Sequence, residues 1–161
     1  MAIRTGQQYL DAISKPRDIR IDGEKVTNVV NDPRFSGGAK TMAMIFDLQH
    51  RDDLIDKMTY LEDGERYGLS HKMPKSKEDL QARMEMFKIW SDFSCGTFGR
   101  SPDYMNVYLM AMAAAAEEFG EYADNVRNYY KYIRDNDLSM THTLINPQVD
   151  RSKPVEQQDK D

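Results

Sequence analysis

The sequence predicts a mainly α-helical fold with one or two small β-hairpins. Three observations carry that expectation. Apolar side chains recur at helical spacing in several separate stretches. Capping residues or proline stand at the starts of those stretches. Two Asp-Gly pairs, Asp22-Gly23 and Asp63-Gly64, lie between short extended runs, which is the strongest short-range hairpin signal.

Each element follows from local chemistry. Thr5-Gly-Gln-Gln8 has the form of a capping box, and Tyr9, Leu10 and Ile13 give one apolar face. A short helix is therefore expected over 6–14, stopped by Lys15-Pro16. Ile19-Arg-Ile21 and Lys25-Val26 flank the first Asp-Gly pair, and Asp32-Pro33 opens a new segment. Ala39, Met42, Ala43, Ile45, Phe46 and Leu48 fit a helix with a buried face that runs to about His50. Met58-Thr-Tyr-Leu61 and Arg66-Tyr-Gly-Leu69 enclose the second Asp-Gly pair, read as a small exposed hairpin or loop before Pro74. Ser76-Lys-Glu-Asp79 resembles a capping box, after which Leu80, Met84, Phe87, Ile89, Trp90 and Phe93 recur at helical spacing. Gly96 and Gly99 interrupt that helix, and Ser101-Pro102 starts the next. This one, to about Phe119, is apolar nearly all round and is expected at the centre of a bundle. A last helix is expected over 122–135, and Ser139 to Pro147 suits an extended segment. The charged end from Asp150 has too little apolar content to fold alone.

Composition narrows the function classes. The chain has 161 residues, about one domain. It carries 22 Lys and Arg against 27 Asp and Glu, a net charge of −5, which is not the electrostatic footprint of a nucleic-acid binder. The one cysteine, Cys95, excludes an internal disulfide and an all-cysteine metal cage, and is expected to be buried. Most of the 11 methionines fall within apolar helix patterns and read as core filler. The N-terminus shows no apolar signal region, and no apolar run nears the ~20 residues of a membrane span. A cytoplasmic protein with no nucleic-acid or membrane partner is expected.

The most unusual stretch is Gly96-Thr-Phe-Gly-Arg100-Ser-Pro-Asp-Tyr104-Met-Asn106. Its glycines allow close backbone approach. Arg100 precedes a helix N-terminus, where free N–H groups and the helix dipole favour an anion. Tyr104, in the first turn, can add a hydroxyl, making a pocket for a carboxylate, phosphate or phenolate. Spacing alone is also satisfied by a tight helix corner with Arg100 in a surface ion pair and Tyr104 in the core. His142, between Thr141 and Thr143, can serve as a base or donor near neutral pH, or as a half-buried structural histidine. His50 and His71 sit in polar settings and read as surface residues. No two histidines have metal-ligand spacing, and no phosphate-binding glycine loop is present.

Several segments resemble a known family in order along the chain. They are the first ten residues, Ile21-Asp-Gly-Glu-Lys-Val26, Tyr60, Arg100-Ser-Pro-Asp-Tyr-Met-Asn106, Asn136-Asp-Leu138, and Thr141-His-Thr-Leu-Ile-Asn-Pro-Gln-Val-Asp-Arg-Ser-Lys-Pro154. Together they are similar to the oxygenase components of the two-component, flavin-dependent 4-hydroxyphenylacetate 3-monooxygenases. The resemblance implies a chemistry in which a separate reductase supplies diffusible reduced FAD, and oxygen is used to hydroxylate a phenol ortho to its hydroxyl. It implies the acyl-CoA dehydrogenase fold, with a helical N-terminal domain, a β-domain and a C-terminal bundle, assembled as dimers or tetramers. The family's phenol-binding and catalytic positions fall on Arg100, Tyr104 and His142. Its FAD-lining positions fall on His142, Thr143, Leu144, Gln148, Val149, Asp150 and Arg151. The same superfamily includes an iron–sulfur dehydratase acting on 4-hydroxybutyryl-CoA. Its two cysteines near 96–100 are matched here by Cys95 alone.

The expected organisation is a helical domain over 1–147 and a polar segment over 148–161 leading towards a β-domain beyond the chain. On that expectation the chain is one part of an oxygenase, inactive alone. The alternative is a free-standing helical binding or assembly module without catalysis.

Overall fold

The structure is a computed structural model that describes residues 2–96, 104–140, 150 and 152–157. Helix α1, Gly6–Ile13, begins with the expected capping box. The Gln8 amide donates to Thr5 Oγ1 at 3.2 Å, and the Thr5 amide donates to Gln8 Oε1 at 2.9 Å. This reciprocal pair satisfies two N–H groups that a helix start leaves open. The Gly6 amide donates to Asp47 Oδ1 at 2.7 Å, which fastens α1 to the end of α2, Ser36–Asp47. A Cβ on Gly6 would lie 2.4 Å from the Ala43 carbonyl oxygen, so the two helices meet where a side chain has no room.

Between them, β1 (Ile19–Ile21) and β2 (Glu24–Val26) pair antiparallel, Ile19 opposite Val26. Asp22 and Gly23 both have positive φ, 49° and 80°, the turn that matches the twist of paired strands. A 3-10 turn, Leu48–His50, extends α2 to the expected His50. After the short α3, Ile55–Met58, strands β3 (Thr59–Glu62) and β4 (Glu65–Gly68) form the second hairpin, with Asp63 and Gly64 again at positive φ. This hairpin is less exposed than the sequence implies. Thr59 and Gly68 are buried, and the Arg134 guanidinium lies 4.5 Å over the Tyr67 ring. A second 3-10 turn, Leu69–His71, follows at once.

Helix α4, Lys77–Ser94, starts at Ser76, whose hydroxyl accepts from the Asp79 amide at 3.1 Å. Its buried face is Arg83, Met86, Trp90 and Ser94. The expected face is corrected here: Leu80 and Met84 are exposed, because the stripe that meets the core runs through 83, 86, 90 and 94. α4 ends with Cys95 at φ 52° and Gly96 at φ 76°. Cys95 is exposed, not buried as expected, since it lies just past the last residue of the buried stripe.

Helix α5 is described from Tyr104 to Ala114, and a 3-10 stretch, Ala116–Tyr122, replaces the continuous helix expected to Phe119. α5 is not a central helix. Leu109 and Met110 are buried, but Val107 is 45% and Tyr108 62% exposed. Helix α6, Ala123–Asp135, matches the expected final helix and packs on α5. The core is shared by α2, α3 and α4 and the 3-10 turns, through Ile45, Phe46, Leu48, Met58, Leu69, Met86 and Trp90. The methionines divide: Met42, Met58, Met86 and Met110 are buried, whereas Met44 and Met84 are exposed. The extended segment expected at 139–147 falls mostly on 141–149, outside the described residues. So do Ser101, Pro102 and Gly99.

Candidate functional site

Most of the buried polar side chains among the described residues gather around the 3-10 turn Leu69–His71. Gly68 precedes it because nothing larger fits: a Cβ there would lie 2.8 Å from Gln49 Oε1 and 3.0 Å from Asp137 Oδ1. Arg83, buried on α4, donates to the carbonyls of Leu69 at 3.3 Å and Ser70 at 2.9 Å. Tyr130 on α6 donates its hydroxyl to the His71 carbonyl at 2.6 Å. Burial raises the Tyr130 phenol above its ordinary range, which keeps it a donor.

Asp137, two residues past α6, is the centre of this cluster. Its Oδ2 accepts from the Arg4 amide at 2.9 Å and from the Gln49 side-chain amide at 2.8 Å. His71 Nε2 lies 3.1 Å from Oδ1. A carboxylate only accepts, so Nε2 carries a proton. Burial alone would push the Asp137 carboxyl up. The hydrogen bond and charge of His71, with the Arg4 and Gln49 donors, reverse this and hold it below the usual carboxylate value. His71 is thus buried, correcting its expected surface position. The other histidine read as a surface residue, His50, is half-buried, with Nε2 3.2 Å from the Arg4 carbonyl.

The neighbouring residue of the turn reaches α5. Asn106 Nδ2 donates to Ser70 Oγ at 2.6 Å, and both residues are buried. Asn106 Oδ1 and Trp90 Nε1 are buried with no protein partner. Both residues line one small cavity of about 10 Å³, which also touches Ser70, His71 and Asp137. That is close to the space of a single water. A larger open groove of about 270 Å³ lies across the β3–β4 hairpin, lined by Tyr60, Lys72, Lys75, Tyr130 and Arg134. Its cations are partly neutralised: Lys72 pairs with Asp79 at 2.5 Å, and Arg134 with Glu62 at 2.6 Å.

The Tyr104 backbone opens α5, one turn-half before Asn106. Arg100, His142, Thr143, Leu144, Gln148, Val149 and Arg151 lie outside the described residues. Asp150 is described and exposed, and its carboxylate accepts from the Ser152 hydroxyl at 2.6 Å and amide at 3.1 Å. These bonds, the hydroxyl first, lower its carboxyl below the ordinary value. Among the described residues no cluster of His, Cys, Asp and Glu has the form of a metal site. No described helix is long and apolar enough to cross a membrane.

Sequence reasoning missed the Asp137 cluster. His71 lies among polar neighbours, and nothing in one-dimensional spacing joins it to a residue 66 positions away. A local signal exists at Asp137 itself: it follows a helix and adopts φ 47°, a conformation that Asp tolerates better than most residues.

Comparison with known proteins converges on one family. The family model described as 4-hydroxyphenylacetate 3-hydroxylase N terminal matches residues 5–161. The chain is 49% identical over 152 residues to the oxygenase component of 4-hydroxyphenylacetate 3-monooxygenase from Thermus thermophilus, covering 94% of this chain and 32% of the relative. A crystal structure of a 4-hydroxyphenylacetate 3-monooxygenase oxygenase component, complexed with FAD and 4-hydroxyphenylacetate, superposes with a TM-score of 0.89 at 48% identity, covering 96% of this chain and 33% of that one. An archaeal 4-hydroxybutyryl-CoA dehydratase from N. maritimus superposes at TM-score 0.78 and 20% identity, which shows a shared fold. The chain spans about a third of the length of the relatives it matches. Its fold is that of the helical N-terminal domain of acyl-CoA dehydrogenase-like flavoenzymes, with two small hairpins. On this sequence match and this superposition, the chain belongs to the 4-hydroxyphenylacetate 3-hydroxylase family, as its N-terminal part.

Proposed function

We propose that this chain is the phenol-binding part of a flavin-dependent aromatic monooxygenase. The enzyme would hydroxylate 4-hydroxyphenylacetate, or a similar phenol, ortho to its hydroxyl, using oxygen and reduced FAD delivered by a separate reductase. The observation that carries the proposal is the likeness, over nearly the whole chain, to an oxygenase component whose crystal structure holds both FAD and 4-hydroxyphenylacetate.

The chemistry assigned to this chain is substrate activation. Transfer of an electrophilic oxygen needs an electron-rich ring, and a phenolate is richer than a phenol. Arg100, just before α5, stabilises the anion. Tyr104 donates a hydrogen bond to the same oxygen, and His142 binds it and takes its proton. When bound, the flavin supplies the activated oxygen. Thr143, Gln148 and Arg151 offer a hydroxyl, an amide and a guanidinium, a donor set suited to the polar edge of a flavin and to pyrophosphate. His142, Leu144, Val149 and Asp150 complete that lining. The domain boundary falls at 147/148, and the full enzyme is a cytoplasmic dimer or tetramer.

The test is catechol formation by the oxygenase carrying this segment, given reduced FAD, oxygen and 4-hydroxyphenylacetate. Arg100→Ala and His142→Ala are each expected to lower turnover by on the order of 10²-fold or more, with the fold retained. Unchanged turnover in both sinks the site assignment. The 161-residue chain assayed by itself is expected to give no catechol.

A further inference from the structure

The buried cluster joins two residues, Asn106 and Asp137, that stand close in sequence to the proposed phenol-site positions Tyr104 and His142. Asn106 lies two residues after Tyr104 in the same helical turn, so the Asn106 side chain and the Tyr104 backbone move as one rigid piece. Asn106 is held by Ser70 at 2.6 Å. The next residue, His71, holds Asp137 at 3.1 Å, and Asp137 stands five positions before His142 in the sequence. Both contacts therefore issue from one three-residue turn.

That turn has little freedom. It is fixed by Arg83 on its carbonyls, by Tyr130 on the His71 carbonyl, and by Gly68, which admits no side chain against Gln49 and Asp137. A buried polar network is costly when half satisfied, so it has few acceptable geometries. Replacing a buried ion pair by apolar residues of similar volume is often neutral or stabilising, so a buried carboxylate is weak evidence of a purely stabilising role. What such a network supplies is a defined register between elements.

We propose that Asn106 and Asp137 are positioning residues of the phenol site: pinned to the turn Leu69–His71, they set the start of α5, which carries Tyr104, against the end of α6, from which the chain runs on to His142. This rests on the functional reading above. Neither residue touches the phenol; each acts through the backbone it holds.

The test uses the oxygenase carrying this segment, with steady-state kinetics for 4-hydroxyphenylacetate. Asn106→Leu and Asp137→Asn keep volume and remove or weaken the pinning bonds, and Ser70→Ala removes the other side of the Asn106 contact. Asn106→Leu and Ser70→Ala are each expected to raise KM or lower kcat by on the order of 10- to 100-fold per folded molecule. Together they should do no more than either alone, because they break one contact. Asn106→Asp, whose carboxylate can accept from the Ser70 hydroxyl where the Asn106 amide donates to Ser70 Oγ, restores a bond across the same contact and is expected to recover part of the loss. If Asp137→Asn and Asn106→Leu fold, and KM and kcat per folded molecule equal those of the parent, the proposal is overturned. It is also overturned if losses follow only the folded fraction, or if Asn106→Asp is no better than Asn106→Leu. Arg100→Ala separates the two levels. A parent enzyme that turns over no phenol, or undiminished Arg100→Ala and His142→Ala variants, overturns the site reading itself. A crippled Arg100→Ala beside normal Asn106 and Asp137 variants overturns only the positioning role.

Discussion

Asp137 has no exposed surface to speak of, yet it is held as a carboxylate by three donors from distant parts of the chain. Its folded pKa lies below the ordinary value, so its contribution to stability is complete above the unfolded value and is lost as pH falls through the folded one. The unfolding midpoint in denaturant is therefore expected to drop as pH is lowered below about 4. Asp137→Asn should flatten that part of the profile, and an equal slope in both proteins would contradict the assignment. Asp137→Ala is expected to cost about 3–5 kcal/mol, because it strands His71, Gln49 and the Arg4 amide without their acceptor. At this scale the sequence was only partly readable. Capping by Thr5 and Ser76 is a short-range event between residues three apart, so the one-dimensional pattern contains it. The partner of buried His71 lies 66 positions further along the chain, so no local pattern can contain it.

Helices are where composition and geometry part company. Both hairpins were legible because an Asp-Gly pair accepts two successive positive φ angles, which few other dipeptides do. The face of α4 was not, because it carries more apolar residues than one stripe can bury. Met86 is fully buried and Met84, two residues earlier, is 70% exposed. Met86→Ala is expected to destabilise by about 2–5 kcal/mol through lost burial and a cavity. Met84→Ala is expected to stay within about 0.5 kcal/mol. Equilibrium denaturation of the two variants checks this, and similar losses would show that the stripe is misassigned. The surplus apolar residues of α4 and α5 meet at a groove of about 300 Å³, lined by Leu80, Val107, Met110 and Ala114. This is why α5 looked central in sequence although its outer side is open.

For the molecule as a whole, the fold class and the family were both legible, from different kinds of signal. The mainly helical architecture followed from periodicity and capping, and the family from long motifs such as Arg100–Asn106 and Thr141–Pro154. Of the candidate site, the described residues hold only the Tyr104 backbone and Asp150, and the phenol-binding geometry stands as a proposal. What sequence could not supply is the frame: one turn, Leu69–His71, collecting contacts from α4, α5 and α6, with the N-terminal segment joined to it through Asp137.

That frame has a kinetic side. The bond from the Arg4 amide to Asp137 joins positions 133 apart, whereas each hairpin and each helical turn closes over a few residues. Hairpins of this kind form in about 1–10 μs, while long-range closure waits on the rest of the chain. The carboxylate that completes the cluster is also synthesised 133 residues after Arg4. Until it arrives, Gln49 and the protonated nitrogen of His71 have no acceptor there. Refolding followed by pulsed hydrogen exchange should show the strand amides of both hairpins protected first and the Arg4 amide last. Early protection of Arg4 would mean that the first residues and Asp137 find each other before the segments between them are built.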